Sequence, residues 1–158
     1  TGFDRVEFTV ELNPGEGSHP LRKVASGGEL SRMMLAVKRA LAGVGPVSTY
    51  VFDEVDAGIG GNVANAVAAK LKDVAEHHQL ICITHLPQIA ASADEHFHIS
   101  KQSKDRRTVT RVSRLSSKQR VEEISRMLGG NAKNQKMMAA AKELIKAGNR
   151  ATCPPQGG

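Results

Sequence analysis

The sequence predicts an α/β fold built around a parallel β-sheet. Two short apolar runs, residues 48–52 and 80–84, are separated by a segment whose apolar residues recur at helical spacing. This order is typical of a β-α-β unit, whose strands lie parallel and are covered on both faces. With 158 residues, the chain is long enough for one domain with its own core.

The first third of the chain predicts a strand and then a helix. Residues 6–12 alternate apolar and polar side chains, which indicates a half-buried strand that ends in the segment 13–17. A helix is predicted to begin just after Ser26 and to stop near Gly43. Its apolar face is expected to contain Leu30, Met33, Met34, Val37 and Leu41. The crossover helix of the β-α-β unit is predicted from the helical pattern of Val63, Val67, Leu71 and Val74.

The C-terminal half predicts a β-hairpin and two helices. Residues 96–101 and 108–115 are the expected strands, joined by a polar turn around Lys104-Asp105-Arg106. The first helix should span about residues 118–128 and end at Gly129-Gly130. The second should run from about residue 132 to 147 and stop at Gly148. Residues 149–158 show no apolar periodicity and are expected to be a disordered tail after a domain of residues 1–148.

Composition restricts the possible partners. The net charge of +6 favours a polyanion, and much of the excess lies in residues 101–120, so nucleic-acid contact and a solvated hairpin rim both remain open. Two cysteines, one in an apolar run and one in the tail, indicate a reducing compartment. No apolar run reaches the length of a membrane span. We therefore expect a cytoplasmic protein without a membrane partner.

Ser26-Gly27-Gly28-Glu29 stands where the first predicted helix begins. Glycines allow close approach of a phosphate, and the free N–H groups and dipole of a helix N-terminus attract anions. Ser26 with Glu29 three residues later also fits a capping box, which needs no ligand. The residues alone leave both interpretations open.

Asp53-Glu54 and His85 each follow a predicted strand, where ligand sites form in open α/β sheets. Asp53 suits Mg²⁺ or its waters, and Glu54 suits a base that orients an attacking water. His85 suits a contact with a γ-phosphate or that water. The alternatives are two solvated carboxylates and a structural histidine. A zinc site is disfavoured because no cysteine stands at zinc-finger spacing from the histidines at 77, 78, 85, 96 and 98.

Four motifs together resemble the RecN family of bacterial DNA repair proteins, which is similar to the SMC ATPases. They are residues 24–32, 51–61, 83–90 and 120–130, and the match spans roughly residues 5–148. The resemblance implies the C-terminal half of an ABC-type P-loop NTPase head. No glycine is followed by lysine, so the G-x-x-x-x-G-K-[ST] phosphate loop is absent from these residues. We expect the chain, which starts at Thr1, to be one piece of a larger protein.

The resemblance assigns a role to each candidate residue. Asp53 would be the Walker B acid, Glu54 the catalytic base and His85 the switch histidine, with ATP and Mg²⁺ as cofactors. The signature loop would be Ser26, Gly27 and Gly28, with Glu29 following. The implied partners are the chain's own N-terminal Walker A half, a second identical head that joins it around two nucleotides, and DNA at double-strand breaks. Rival hypotheses are another SMC-like head and a non-hydrolysing DNA-binding or scaffold module.

Two positions depart from the usual ABC pattern. Ala25 stands where many signatures have leucine, and Gly60 stands where the usual D-loop has aspartate. The second departure predicts backbone contacts around residues 58–61 in place of a D-loop side chain.

Overall fold

The computed structural model of the chain describes residues 2–4, 6–11, 15, 17–23, 26–41, 46–104, 107–130 and 134–150. The predicted α/β fold is confirmed. In chain order, the elements are β1 (Thr9–Val10), β2 (His19–Pro20), a 3₁₀ turn (Leu21–Lys23), α1 (Gly27–Ala40), β3 (Thr49–Phe52), α2 (Gly61–Ala75), β4 (Gln79–Cys82), α3 (Pro87–Ser92), β5 (Phe97–Lys104), β6 (Arg107–Arg114), α4 (Ser117–Met127) and α5 (Gln135–Arg150). Within these ranges, no helix is long and apolar enough to cross a membrane.

The central sheet is the predicted β-α-β unit. β3 and β4 pair in parallel, from Thr49 opposite Gln79 to Phe52 opposite Cys82, and α2 connects them. β4 ends two residues earlier than predicted, although the Ile83 N–H still donates to the Phe52 carbonyl at 2.9 Å. Both strands therefore end at the same edge of the sheet.

One face of this sheet is covered by helices and the other is bare. Phe52 packs with Leu35 of α1 and with the buried side of α2. The residues of α2 in this core are Val67, Ala68, Leu71 and Val74. On the other face, Val51, Ile81 and Ile83 are 64%, 48% and 50% exposed. The prediction that both faces are covered is therefore wrong for the described residues.

Three apolar patterns of the sequence are only partly buried in the structure. Of the described residues 6–11, only Thr9–Val10 form a strand, and Val6 and Phe8 are exposed because the short β1–β2 pair leaves these side chains uncovered. In α1, Leu35 is buried, since this side of the helix packs against α2. Four members of the predicted face are at least 38% exposed: Leu30, Met34, Val37 and Leu41. In α2, Val63 is likewise exposed. The predicted stop at Gly43 lies outside the described residues.

The C-terminal half confirms the hairpin and both helices. β5 and β6 pair antiparallel from Phe97 opposite Arg114 to Lys104 opposite Arg107, and the turn residues 105–106 lie outside the description. α4 begins at a capping box in which Ser116 and Gln119 bond each other's backbone N–H groups. It ends at Met127, before Gly129-Gly130, as predicted.

The predicted stop of the last helix at Gly148 is wrong, because α5 continues to Arg150. A Cβ at Gly148 would come within 2.8 Å of the Ser92 Cα and 2.9 Å of the Ala91 carbonyl oxygen. The glycine thus allows α3 and α5 to pack closely, and it lies inside the helix. α3, α4 and α5 share a second core of Ala90, Ala91, Ile124 and Ala141. The rest of the predicted tail, residues 151–158, lies outside the described residues.

Candidate functional site

The candidate site lies at the edge of the sheet where β3 and β4 end. Asp53 and Glu54 directly follow β3, and His85 follows β4 by three residues. All three side chains are exposed at this edge. The parallel register therefore brings the two predicted groups to one side of the sheet, where ligands bind in open α/β folds.

The N-terminus of α1 reaches the same edge. Ser26 is its N-cap, and the Ser26 Oγ accepts from the Glu29 N–H at 3.4 Å, which is the capping bond that the sequence predicts. A Cβ at Gly27 would lie 2.5 Å from the Glu54 Oε2. A Cβ at Gly28 would lie 2.8 Å from the Ala57 Cβ. The two glycines therefore let the signature segment touch the loop that carries Asp53 and Glu54.

Side chains in the first turns of α1 fix this contact. The Ser31 Oγ donates to the Asp53 carbonyl at 2.8 Å, and the Arg32 Nη1 donates to the Ala57 carbonyl at 2.9 Å. A longer bond of 3.4 Å joins the Arg32 Nη1 to the Val55 carbonyl. The start of α1 and the loop after β3 are thus tied through backbone oxygens, which leaves both carboxylates open for other contacts.

Glu54 has an uncommon backbone conformation. Its φ of 58° lies in the left-handed region that side chains other than glycine rarely adopt. The Asp53 Oδ1 supports the turn by accepting from the Glu54 N–H at 2.9 Å. Strained conformations of this kind cost about 1–3 kcal/mol and concentrate at functional sites. The turn presents the Glu54 carboxylate beside Gly27 at the α1 N-terminus.

His85 is held from below by a buried carboxylate, Asp56. The Asp56 Oδ2 accepts from the Thr84 Oγ1 at 2.6 Å and from the His85 N–H at 2.9 Å. It also lies 2.9 Å from the His85 Nδ1. Burial raises the pKa of Asp56, but the hydrogen bonds from Thr84 and the His85 backbone outweigh it, so the pKa is lowered. Asp56 is therefore ionised and anchors His85, whose side chain is largely exposed.

The residues present fit a magnesium nucleotide. Exposed Asp53 offers carboxylate oxygens, the ligand type that Mg²⁺ takes in phosphate-binding sites. The N-terminus of α1 is a position that attracts phosphate, and the Glu54 carboxylate lies against Gly27 there. Both features lie at the edge of the sheet where ligands bind in open α/β folds.

The remaining histidines lie apart from this edge. The His78 Nδ1 lies 2.9 Å from the Val47 carbonyl oxygen, and the His98 Nε2 lies 4.0 Å from the Glu123 Oε1. Throughout the described ranges, no three His, Cys, Asp or Glu side chains are grouped as a metal site.

Sequence reasoning missed the residues that position the site. Ser31 and Arg32 lie in the motif at residues 24–32 and Asp56 in the motif at residues 51–61, but the sequence assigned none of them a role. A signal existed for Asp56, because it follows Glu54 by two residues and Thr84-His85 stands at the end of the neighbouring strand. Only the structure shows that these groups meet.

Comparison with known proteins agrees with this geometry. The family described as "RecF/RecN/SMC N terminal domain" matches residues 21–108, which is more than half of the chain. A protein named "DNA repair protein RecN" from Treponema pallidum (strain Nichols) is 49% identical over 149 residues, 94% of this chain and 26% of that protein. RecN from Bacillus subtilis (strain 168) is 49% identical over 145 residues, 92% of this chain and 25% of that protein. The chain thus spans about a quarter of the length of these relatives.

A solved structure also resembles the chain. It comes from a study of the ATP-driven dimerization and DNA stimulated activation of SMC ATPases. The TM-score is 0.49 at 26% identity, and the likeness covers 72% of this chain and 68% of the other. By the family match, this chain belongs to the RecF/RecN/SMC N terminal domain family, and the relatives it resembles in sequence are RecN DNA repair proteins.

Proposed function

We propose that residues 1–148 are the C-terminal part of a RecN-like ATPase head that acts in DNA double-strand break repair and recombination. The observation that carries the proposal is the meeting of Gly27 with Glu54 at the sheet edge that also holds Asp53 and His85. Relatives at 49% identity are named for DNA repair. The last helix of this head runs to Arg150, two residues beyond the predicted boundary.

The missing phosphate loop belongs, in this proposal, to an N-terminal half of the same protein. Two features support a second half. In the described part of the chain, β4 pairs with β3 alone, so its other edge has backbone groups open to a further strand. The apolar side chains of Val51, Ile81 and Ile83 form an uncovered face beside that edge. A strand followed by the phosphate loop would satisfy both.

The signature segment would act on the nucleotide of a second head. Ser26 and Gly27 are exposed at the start of α1, whereas Gly28 is buried against the loop after β3. The dipole and N–H groups of a helix N-terminus attract phosphate. Glu29 remains engaged in the cap through its N–H. Two identical heads would then enclose two ATP molecules, and each signature segment would contact the γ-phosphate held by the other head.

Each residue at the edge would have one task in hydrolysis. Bound ATP with Mg²⁺ supplies the phosphoryl group and the charge that polarises it. Asp53 would hold the cation, directly or through water. Glu54 would accept a proton from, or orient, the attacking water, and its uncommon backbone conformation at φ 58° supports a functional role. His85 would hydrogen-bond the γ-phosphate or the same water through its exposed side.

DNA would be the second partner. The hairpin β5–β6 contributes to the positive charge of the chain, which has a net charge of +6. Such charge attracts phosphates over long range. A protein with this task would work in the cytoplasm, at the nucleoid.

A second candidate is a DNA-binding or scaffold module that does not hydrolyse ATP. The basic β5–β6 hairpin favours this DNA-binding candidate. Salt-sensitive DNA binding that needs no nucleotide would support this candidate. The ordered contact among Gly27, Glu54 and the loop after β3 favours the ATPase instead.

The deciding experiment uses a reconstituted head: this chain co-expressed with the part of Bacillus subtilis RecN that it does not span. ATP hydrolysis is measured with and without DNA, for the wild type and for Glu54→Gln. We expect hydrolysis that needs both chains and is lost in the variant. Activity that is indifferent to Glu54, or no activity in the wild type, would favour the scaffold candidate.

A further inference from the structure

Asp56 is a buried acid next to an exposed functional site. It is 3% exposed, and it follows the exposed Glu54 by only two residues. A buried carboxylate must be satisfied by hydrogen bonds, because its desolvation is costly. The groups that contact Asp56 therefore indicate which residues this carboxylate positions.

All three partners of the Asp56 Oδ2 come from two consecutive residues after β4. They are the Thr84 hydroxyl at 2.6 Å, the His85 backbone N–H at 2.9 Å and the His85 Nδ1 at 2.9 Å. The first bond fixes the Thr84 side chain, and the second fixes the His85 backbone. The third contacts the ring itself, so the carboxylate controls both the position of His85 and its orientation.

The protonation of the ring follows from the acceptor. The Nδ1 lies 2.9 Å from an oxygen of an ionised carboxylate, which has no hydrogen to donate and repels a lone pair, so the contact favours a proton on the Nδ1. The pKa of Asp56 is lowered despite its burial, since Thr84 and the His85 backbone donate to it, and it is ionised at neutral pH. In a neutral imidazole with a protonated Nδ1, the Nε2 is the acceptor.

We propose that Asp56 is the positioning residue of His85: it selects the Nδ1–H form of the ring and leaves the Nε2 as the acceptor of a hydrogen bond from the attacking water. This inference rests on the role of His85 in the proposed function. The His85 side chain is 72% exposed while that of Asp56 is 4% exposed, so one end of the ring is fixed and the other is open. Orientation by a buried carboxylate is how histidines at metal and catalytic sites are commonly held.

Thr84 has a supporting part in the same arrangement. Its hydroxyl donates to Asp56 and accepts from the Leu86 N–H at 3.0 Å. This link fixes the start of the loop between β4 and α3. Removing the hydroxyl should loosen the carboxylate and hence the ring, while Thr84→Ser keeps the donor.

The first test measures ATP hydrolysis by the reconstituted head with Asp56→Asn. The asparagine side chain has an NH₂ group that can donate to the His85 Nδ1. The variant therefore no longer favours a proton on that nitrogen. We expect kcat to fall about 10- to 100-fold, the size seen when such supporting partners are removed. KM for ATP should stay within about twofold, since ground-state binding is unaffected. Thr84→Val should reduce kcat in the same way, and Thr84→Ser should rescue it.

The matched control is Asp73→Asn. Asp73 is an acid of α2 that pairs with Arg39 at 2.6 Å, away from the sheet edge. Its variant should retain the wild-type kcat. If Asp56→Asn does not fold, the comparison of Thr84→Val with Thr84→Ser serves as the test.

The second test reads the ring directly. Long-range ¹H–¹⁵N spectra in alkaline buffer distinguish Nδ1–H from Nε2–H imidazoles, and His85→Gln identifies the signals among the six histidines. We expect Nδ1–H in the wild type and its loss in Asp56→Asn and Thr84→Val. A wild-type Nε2–H form, or a lowered kcat with an unchanged ring in both variants, would overturn the proposal. If the wild type does not hydrolyse ATP, the proposed function fails while the spectra still decide the role of Asp56.

Discussion

The sheet edge and the α3–α4–α5 layer differ in burial: the candidate side chains at the edge are exposed, whereas side chains of the layer are buried. At the edge, Glu54 and His85 are exposed, and their backbone N–H groups donate to the side chains of Asp53 and Asp56. In the layer, Ile124 and Ala141 are fully buried. There, the Arg120 Nη2 donates to carbonyls at the end of α3, including that of Ala91 at 2.8 Å.

This difference indicates that function and stability are carried by separate groups. Open carboxylates and a strained turn contribute little to packing, whereas the layer contributes apolar contacts and no candidate site residue. Variants of the edge should therefore change hydrolysis with little change in stability, and variants of the layer should do the reverse.

The largest effect is expected at the edge, from Glu54→Gln. Loss of a general base costs about 10²- to 10⁴-fold in kcat. The amide keeps the shape of the side chain, so two heads should still join around ATP, and the free energy of unfolding should change by less than about 0.5 kcal/mol. Gel filtration with ATP measures engagement, and Glu143→Gln on α5 is the control. Normal release of the ATP-joined variant heads would contradict the mechanism.

The largest stability effect is expected in the layer, from Ile124→Ala. Ile124 is fully buried, and its truncation should lower the free energy of unfolding by about 2–5 kcal/mol. Ile124→Val should cost about 0.5–1.5 kcal/mol. Urea unfolding measures both, while kcat per folded molecule should not change. A tenfold loss of kcat in folded Ile124→Ala, with Ile124→Val unaffected, would show that the two regions are coupled.

A smaller effect is expected from Gly148→Ala. Alanine favours a helix over glycine by about 1 kcal/mol, so an open site would be stabilised. Here the added Cβ would meet the Ser92 Cα at 2.8 Å, and such overpacking costs about 1–3 kcal/mol. We expect net destabilisation in urea unfolding, with Ala147→Gly measuring the helix preference alone. Stabilisation by Gly148→Ala would show that α3 and α5 can move apart at little cost.

The sequence predicted the edge better than the packing around it. Strand ends and the helix start place Asp53, His85 and Gly27 from local patterns, and the parallel pairing confirms the arrangement of the strands. Spacing shows which residues share a helix face but not which face another element covers, so Leu35 was missed in α1. Gly148 was predicted as a stop because local sequence does not reveal that a second helix lies against it.

The two regions should also lose stability at different pH. Burial, reinforced by Arg120 of α4, lowers the pKa of His96, which stands just before β5. Its contribution to stability is therefore full above pH 6.5 and is lost as the pH falls through the lower folded pKa. Asp56 at the edge has a pKa below 3.8, so its contribution remains until the pH falls below that value.

Urea unfolding across these two windows separates them. His96→Gln should remove pH dependence only in the upper window, and Asp56→Asn should reduce it only in the lower one. Glu123, whose pKa is lowered by its bond with Arg126, also titrates in the lower window, so the variant identifies the share of Asp56. An unchanged slope below 6.5 in His96→Gln would mean that the layer does not hold this histidine neutral. The layer, like the edge, would then tolerate a charged side chain. The two regions would differ only in how their apolar side chains pack.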